Sequence, residues 1–325
     1  MTPLETLRQG AKPALARALA RLEAAPGAED VVALLDAAHA APKGHALGLT
    51  GPPGVGKSTL IKALIGHWRA RGETVGVIAV DPSSRRSGGA LLGDRTRLGT
   101  DPADAGLFVR SMAARDRLGG VAEITFPAMV LMRALFDHVI VETVGVGQSE
   151  TEIAGLCDTV VFCAQPGSGD SLQFMKAGVM EIPDIVLVTK ADLGDLARRA
   201  AADLRGALSL AAGQEGRAPP EVLTCAAARR EGIAELADAI AAHAATVGPK
   251  ARAAQAAVWL DSHLTAAYGR AGRALLAREG PSEPGGAPFA EAARLTARLD
   301  AAFARLAVDG PATGPPCPDP ARIRR

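Results

Sequence analysis

GPPGVGKST occupies residues 51–59, directly after the apolar run ALGLT (46–50) and directly before the helical run LIKALIGHW (60–68). It satisfies Gly-x4-Gly-Lys-Ser/Thr between a candidate strand and a candidate helix, the context in which that spacing has a mechanism. Gly51, Gly54 and Gly56 let the backbone turn its N–H groups, that of Val55 included, inward around phosphate oxygens, and the helix N-terminus adds a favourable dipole. Lys57 is the expected partner of the β and γ phosphates. The Ser58 hydroxyl is the expected Mg²⁺ ligand.

Outward from this loop, short apolar runs alternate with helical stretches from His45 to about Val247, the mark of parallel βαβ units. The candidate strands are ALGLTG, TVGVIAVD, GLFVRS, HVIVETVG, DTVVFCAQ, DIVLVTKAD and EVLTCAA. Several are apolar throughout, as strands buried on both faces should be. Before them lies a helical pattern through Leu4, Leu7, Ala11, Leu15, Leu19 and Leu22, then VVALLDAAHA, with Pro26-Gly27 between. After Gly248-Pro249 comes an Ala/Arg-rich helix with Val258, Trp259, Leu260, Leu264 and Tyr268, a break at EGPSEPGGAP, and a second helix around FAEAARLTARLDAAFARLAV. The expectation is an α/β P-loop NTPase with a mostly parallel sheet flanked by helices, plus helical N- and C-terminal extensions. The boundaries are 1–44, 45–247 and 248–325. The Pro/Gly-rich tail DGPATGPPCPDPARIRR is expected to be disordered.

In a parallel sheet, Asp81 at the end of VIAVD emerges on the same carboxyl edge as the phosphate loop, within reach of Mg²⁺ or its waters. Glu142 in HVIVETVG fits the Asp-x-x-Gly role with glutamate for aspartate, facing the metal while the Gly145 N–H contacts the γ phosphate. Asp94 in GDRTR is a third metal-side carboxylate. Arg85, Arg86, Arg95, Arg97, Arg110, Arg115 and Arg117 supply charges for a transition-state phosphate or a partner's acidic surface, though most should be solvated. The water-positioning glutamine of Ras-like enzymes is replaced by Val146, with Gln148 two residues on, so intrinsic hydrolysis should be slow and a partner should complete the site.

Residues 189–192, Thr-Lys-Ala-Asp, stand where guanine-nucleotide enzymes carry Asn-Lys-x-Asp. The Asp192 carboxylate can accept from guanine N1–H and the exocyclic amine, a donor pair adenine lacks. Lys190 should lay its stem along the base plane. Thr189 should tether this loop to the phosphate loop, weakening guanine binding rather than reversing its preference. TCAA (224–227) stands where a backbone N–H reaches guanine O6, with Cys225 for the usual serine and Ala226 offering the N–H.

Composition narrows the alternatives. Lys plus Arg number 36 against 35 Asp plus Glu in 325 residues, for a net charge of +1, so no field draws the chain to nucleic acid or anionic membrane. Cys157, Cys163, Cys225 and Cys317 form no CxxC pair and no cluster with histidine, arguing against a disulfide frame or zinc ribbon and fitting a reducing cytosol. No run approaches the length of a membrane span, and the N-terminal segment lacks a leader's apolar core. A soluble, cytoplasmic protein is expected.

Taken together, GPPGVGKST, VDPSS, LLGDRTRL, FVRSMAARDRLGGVAE, ETVGVGQSE and PGSGDSLQFMKAGVMEIPD resemble the MeaB/ArgK family of P-loop GTPases from about Leu34 to Ile240. The resemblance implies GTP/GDP and Mg²⁺ binding, a homodimer, and a chaperone role toward an adenosylcobalamin-dependent acyl-CoA mutase of the methylmalonyl-CoA type, gating cofactor loading and protecting the mutase. It implies phosphate and metal roles for Lys57, Ser58 and Thr59, an acidic Mg²⁺ surround of Asp81, Asp94 and Glu142, and guanine recognition by Lys190 and Asp192. It also marks residues 167–179, with Asp170 and Lys176, as a further switch. Phe174 and Asp116 depart from the family pattern in the switch segments. Two other readings share the architecture: a nucleotide-dependent metal carrier of the HypB/UreG kind, needing a metal-gathering constellation, and a phosphotransferase, needing an acceptor pocket. The six histidines, His39, His45, His67, His138, His243 and His263, read as scattered surface or helix residues.

Overall fold

A computed structural model describes residues 2–82, 101, 103–114, 122–143, 153, 155–167, 183–215, 218–278 and 286–308. At its centre is a 7-stranded, wholly parallel sheet in the order β3-β2-β4-β1-β5-β6-β7. The strands are β1 (His45–Thr50), β2 (Val75–Pro82), β3 (Leu107–Ala114), β4 (His138–Glu142), β5 (Thr159–Ala164), β6 (Ile185–Val188) and β7 (Glu221–Thr224). Each falls on one of the runs read from sequence. All residues of β1, β5 and β6 are buried, which is why these strands carry little polar alternation.

β1 lies between β4 and β5, so the chain leaves it in one direction for β2 and β3 and returns to occupy both its sides. The crevice at the carboxyl end of β1 is therefore where the strand order reverses, the place at which open α/β sheets bind ligands. Helix α4 (Lys57–Ala70) covers one face of the sheet through Leu60, Ile61, Leu64 and Trp68, packed with Val75, Val77, Ile140 and Val161.

The helical extensions share the core of the opposite face. Helices α1 (Pro3–Gln9), α2 (Ala11–Ala24) and α3 (Glu29–Ala40) bury Leu4, Leu7, Leu15, Leu19, Leu22 and Leu35 in one cluster with α5 (Ala122–Arg133) and with Ile78, Val139 and Val160 of the strands. The N-terminal stripe is not continuous, however. Ala11 is exposed and adopts φ +49°, ending α1 and starting α2 instead of adding to the apolar face. α1 has a complete capping box, Thr2 receiving the Glu5 N–H and Glu5 receiving the Thr2 N–H.

Helices α6 (Asp195–Glu215) and α7 (Ile233–Ala244) complete the sheet's cover, and α8 (Pro249–Arg278) and α9 (Pro288–Val308) follow. α8 is interrupted at Gly269, whose φ of +61° and ψ of −160° are not helical. The last two helices pack on each other through Leu264, Leu295 and Leu299. They also reach back: Trp259 and Phe289 enter the cluster with Phe126, at ring-centroid separations of 5.5 Å (Trp259–Phe126) and 4.7 Å (Trp259–Phe289). Asp36 of α3 accepts the N–H groups of Phe289 and Ala290 at 3.0 and 2.9 Å, capping the first turn of α9 from the other end of the chain. The tail expected to be disordered lies outside the described residues.

Candidate functional site

The phosphate loop is shaped by three left-handed glycines, Gly51 (φ +137°), Gly54 (+75°) and Gly56 (+105°). Gly51 is also a close approach, since a Cβ there would stand 2.3 Å from the Cys163 carbonyl oxygen of β5. Val55 is fully buried and anchors the loop to the core under α4. Lys57 is 7% exposed, its ammonium donating to the carbonyls of Gly51 at 2.5 Å and Pro52 at 3.3 Å. The first turn of α4 thus presents a positive charge and helix N–H groups together, a pairing suited to a polyphosphate.

Glu142 ends β4, in register with Leu49 of β1 and Ala79 of β2. The Ser58 hydroxyl donates to its Oε1 at 3.3 Å. Two residues separated by 84 positions therefore meet at the carboxyl edge of the sheet. A hydroxyl beside a carboxylate is a hard-oxygen donor set that fits Mg²⁺. Asp81 lies two residues beyond Ala79 on β2, on that same edge; its side chain, with Asp94, Gly145, Val146, Gln148, Asp116, Asp170, Phe174 and Lys176, lies outside the described residues. So do Arg85, Arg86, Arg95, Arg97, Arg115 and Arg117.

Arg110 is the described arginine of that group, and it is not available to a phosphate. It donates to Glu23 of α2 at 2.6 Å from mid-strand β3, so it ties the N-terminal extension to the sheet edge.

The base-reading loop is docked on the phosphate loop. Thr189, 3% exposed, donates its hydroxyl to the Val55 carbonyl at 2.7 Å and lies 3.0 Å from the Ala164 carbonyl. A hydroxyl has one proton where an asparagine amide has two, so one donor is shared between two buried acceptors. The tether read from sequence is present with a smaller donor set. Lys190 adopts a left-handed backbone (φ +54°), and its Nζ donates to Gly54 O at 3.0 Å and Gln165 Oε1 at 2.6 Å. Asp192 sits exposed in the short 3-10 turn Ala191–Leu193, its carboxylate without a hydrogen-bond partner among the described residues.

One expected contact takes a different form. The Ala226 N–H, assigned to guanine O6, donates to the Glu231 carbonyl at 3.0 Å, and Glu231 donates back at 3.3 Å in an isolated antiparallel bridge. Closing this six-residue turn consumes the donor. Cys225 is buried in the core behind the loop; burial pushes its thiol up to about 11, so it is a neutral packing group, and its carbonyl accepts from Ala191 at 2.9 Å. Gln165 was not singled out by sequence because no motif includes it; its position directly after an apolar strand was the available signal.

The opposite, amino-terminal edge of the sheet carries a polar network the sequence did not reveal. Asp158 receives Arg133 Nη1 at 3.0 Å, Arg252 Nε at 3.3 Å, Gln255 Nε2 at 3.2 Å and the Ala46 N–H at 2.9 Å. Burial outweighs the nearby carboxylate and lowers the pKa of His45 to about 4, so the imidazole is neutral although Nδ1 stands 3.6 Å from Asp158. His45 and His243, read as unrelated, share the Thr159 hydroxyl at 2.8 and 2.7 Å. Among the described residues no group of three His, Cys, Asp or Glu could hold a metal ion, the constellation a metal carrier would need. Nor is any described helix long and apolar enough to cross a membrane.

A family model described as methylmalonyl-CoA mutase-associated GTPase MeaB matches residues 15–266. The GTPase ArgK of Escherichia coli is 38% identical over 243 residues, 73% of each chain. A probable GTPase of Mycobacterium tuberculosis is 45% identical over 203 residues, 61% of this chain, and the match spans 60% of that relative's length. The mitochondrial methylmalonic aciduria type A homolog of Mus musculus is 42% identical over 59% of this chain and 47% of its own. Among solved structures, a LAO/AO transport system kinase superposes with a TM-score of 0.62 at 28% identity, covering 93% of this chain and 96% of its own.

Proposed function

Because this chain belongs to the MeaB family of GTPases, we propose that it binds GTP with Mg²⁺, hydrolyses it slowly alone, and serves as a chaperone for an adenosylcobalamin-dependent acyl-CoA mutase of the methylmalonyl-CoA type. The observation that carries the nucleotide part is the docking of the base-reading loop on the phosphate loop, Thr189 to Val55 at 2.7 Å and Lys190 to Gly54 at 3.0 Å. Base and phosphate recognition are thereby held at a fixed separation, as one nucleotide requires.

In this reading the loop N–H groups of residues 51–59 and the Lys57 ammonium hold the phosphates, and Ser58 with Glu142 would hold Mg²⁺, with Asp81 and Asp94 as further acidic partners. Bound there, Mg²⁺ supplies charge neutralisation to the β and γ phosphates. Gly145 would donate its N–H to the γ phosphate. Asp192 reads the guanine edge, and Lys190 covers the base face. Recognition of O6 by Ala226 would require its bridge to Glu231 to open, so the base edge is carried by Asp192. The mutase partnership and a homodimer rest on family membership; the chain's cytoplasmic, nucleic-acid-free setting rests on its composition.

The test has two parts. GDP or GTP with Mg²⁺ should raise the melting temperature well above the shift given by ADP or ATP, and equal shifts would remove the guanine assignment. Phosphate release should then rise on adding an acyl-CoA mutase from the same cell. No stimulation by any such mutase would remove the chaperone reading while leaving the GTPase.

A further inference from the structure

We propose that Gln165 is a positioning residue for the base. Resting on the guanine reading above, the inference is that its amide oxygen presets the Lys190 side chain against the base face. Lys190 is a non-glycine residue in the left-handed region, φ +54° and ψ +42°, which a side chain rarely adopts unless its surroundings fix it. Its backbone neighbours are held by Thr189 N–H to Ala164 O at 2.8 Å and Ala191 N–H to Cys225 O at 2.9 Å. These bonds set where the side chain starts but not where it goes.

The direction is set at the far end. The ammonium donates to Gly54 O and, at the shorter distance of 2.6 Å, to Gln165 Oε1. Two acceptors from different elements fix the tip of a chain with four rotatable carbons, removing rotamer freedom before any ligand arrives. One acceptor belongs to the phosphate loop. The other is the first residue after β5, whose Ala164 carbonyl already receives Thr189, so Gln165 is anchored to the sheet and not to the loop that wraps the phosphates. Since an ammonium only donates, the amide oxygen must face Nζ and the amide nitrogen must turn away.

Because Lys190 meets the flat face of the base and Asp192 its edge, loss of Gln165 should weaken binding without altering which guanine-like base is chosen. Full-length protein with Mg²⁺ is titrated with fluorescent GDP and IDP, inosine lacking the exocyclic amine that Asp192 reads. Gln165→Leu is expected to weaken both about 3- to 10-fold by the same factor, with kcat at saturating GTP and the nucleotide-free melting temperature unchanged. Gln165→Glu, which keeps an acceptor, should restore binding. In a Lys190→Ala background, Gln165→Leu should add nothing.

Unchanged GDP affinity in Gln165→Leu overturns the proposal, as does a penalty that persists without Lys190 or that Gln165→Glu fails to rescue. A wild-type protein that binds ADP as well as GDP would overturn the Asp192 reading instead, and the same cycle measured with either nucleotide still decides for or against Gln165. Binding of neither would overturn both.

Discussion

A methyl group at position 51 has nowhere to go: it would lie 2.3 Å from the Cys163 carbonyl oxygen, with the backbone at φ +137°. Both objections are backbone objections, so no rotamer change relieves them. Gly51→Ala is expected to lose GDP binding in a fluorescence titration and to lower the melting temperature, whereas Gly66→Ala, on α4 with open space around it, should do neither. Thr189 makes a subtler case. Thr189→Val keeps the shape and strands the Val55 carbonyl, a loss of about 1–3 kcal/mol in stability with weaker GDP binding. Thr189→Asn supplies the second donor for the Ala164 carbonyl and should tighten GDP binding; a looser complex would mean that the threonine methyl fills space the amide cannot. The phosphate-loop residues and this threonine were legible because each is fixed by local spacing beside a strand. Gln165 was not, because what it does depends on a lysine 25 positions away.

Between elements, the amino-terminal edge of the sheet is held by buried charge. Asp158 is the shared acceptor of Arg133 on α5 and of Arg252 and Gln255 on α8. Asp158→Asn removes that charge while leaving two guanidinium groups in place, and should cost about 3–5 kcal/mol in chemical denaturation. The neighbouring His45 contributes a pH dependence whose sign follows from its pKa, 6.5 unfolded and about 4 folded. Between those values the unfolded chain binds the proton and the folded chain does not, so stability falls as pH drops from 6.5 towards 4, by up to about 3 kcal/mol for this group. Denaturant midpoints at pH 7.5 and 5 check this, and His45→Gln should flatten the difference. Thr159 has a single proton for two imidazoles. If His243 donates through Nε2 to Asp184, 3.2 Å away, its Nδ1 accepts from Thr159 and His45 donates through Nε2, and nitrogen NMR reads whether this tautomer is present. The strands bearing these residues were readable from apolar runs, yet the network was not: strand order, which brings positions 45 and 159 side by side and α8 across them, is a long-range outcome no local pattern encodes.

At the level of the whole molecule, the helices before and after the sheet share its core. Leu4 to Leu35, Trp259 and Phe289 lie in the same cluster as the strands' Ile78 and Val139. Trp259→Ala should cost about 3–5 kcal/mol and lower a single unfolding transition, because the ring is 4% exposed between Phe126 and Phe289. Two separable transitions in calorimetry would show instead that the boundaries read near 44 and 248 divide independent units. Composition shifts at Pro26-Gly27 and Gly248-Pro249 showed where the chain changes direction, but not that its two ends converge. That convergence is seen most directly where Asp36 accepts the amides of Phe289 and Ala290 across 253 and 254 positions. On the ribosome, at about 5–20 residues per second, α3 would wait roughly 10–50 s after its own synthesis before the helix it caps exists. Until then the apolar surface destined for Phe289 stays uncovered on the nascent chain, so the synthesis of α9 is the step that closes the core.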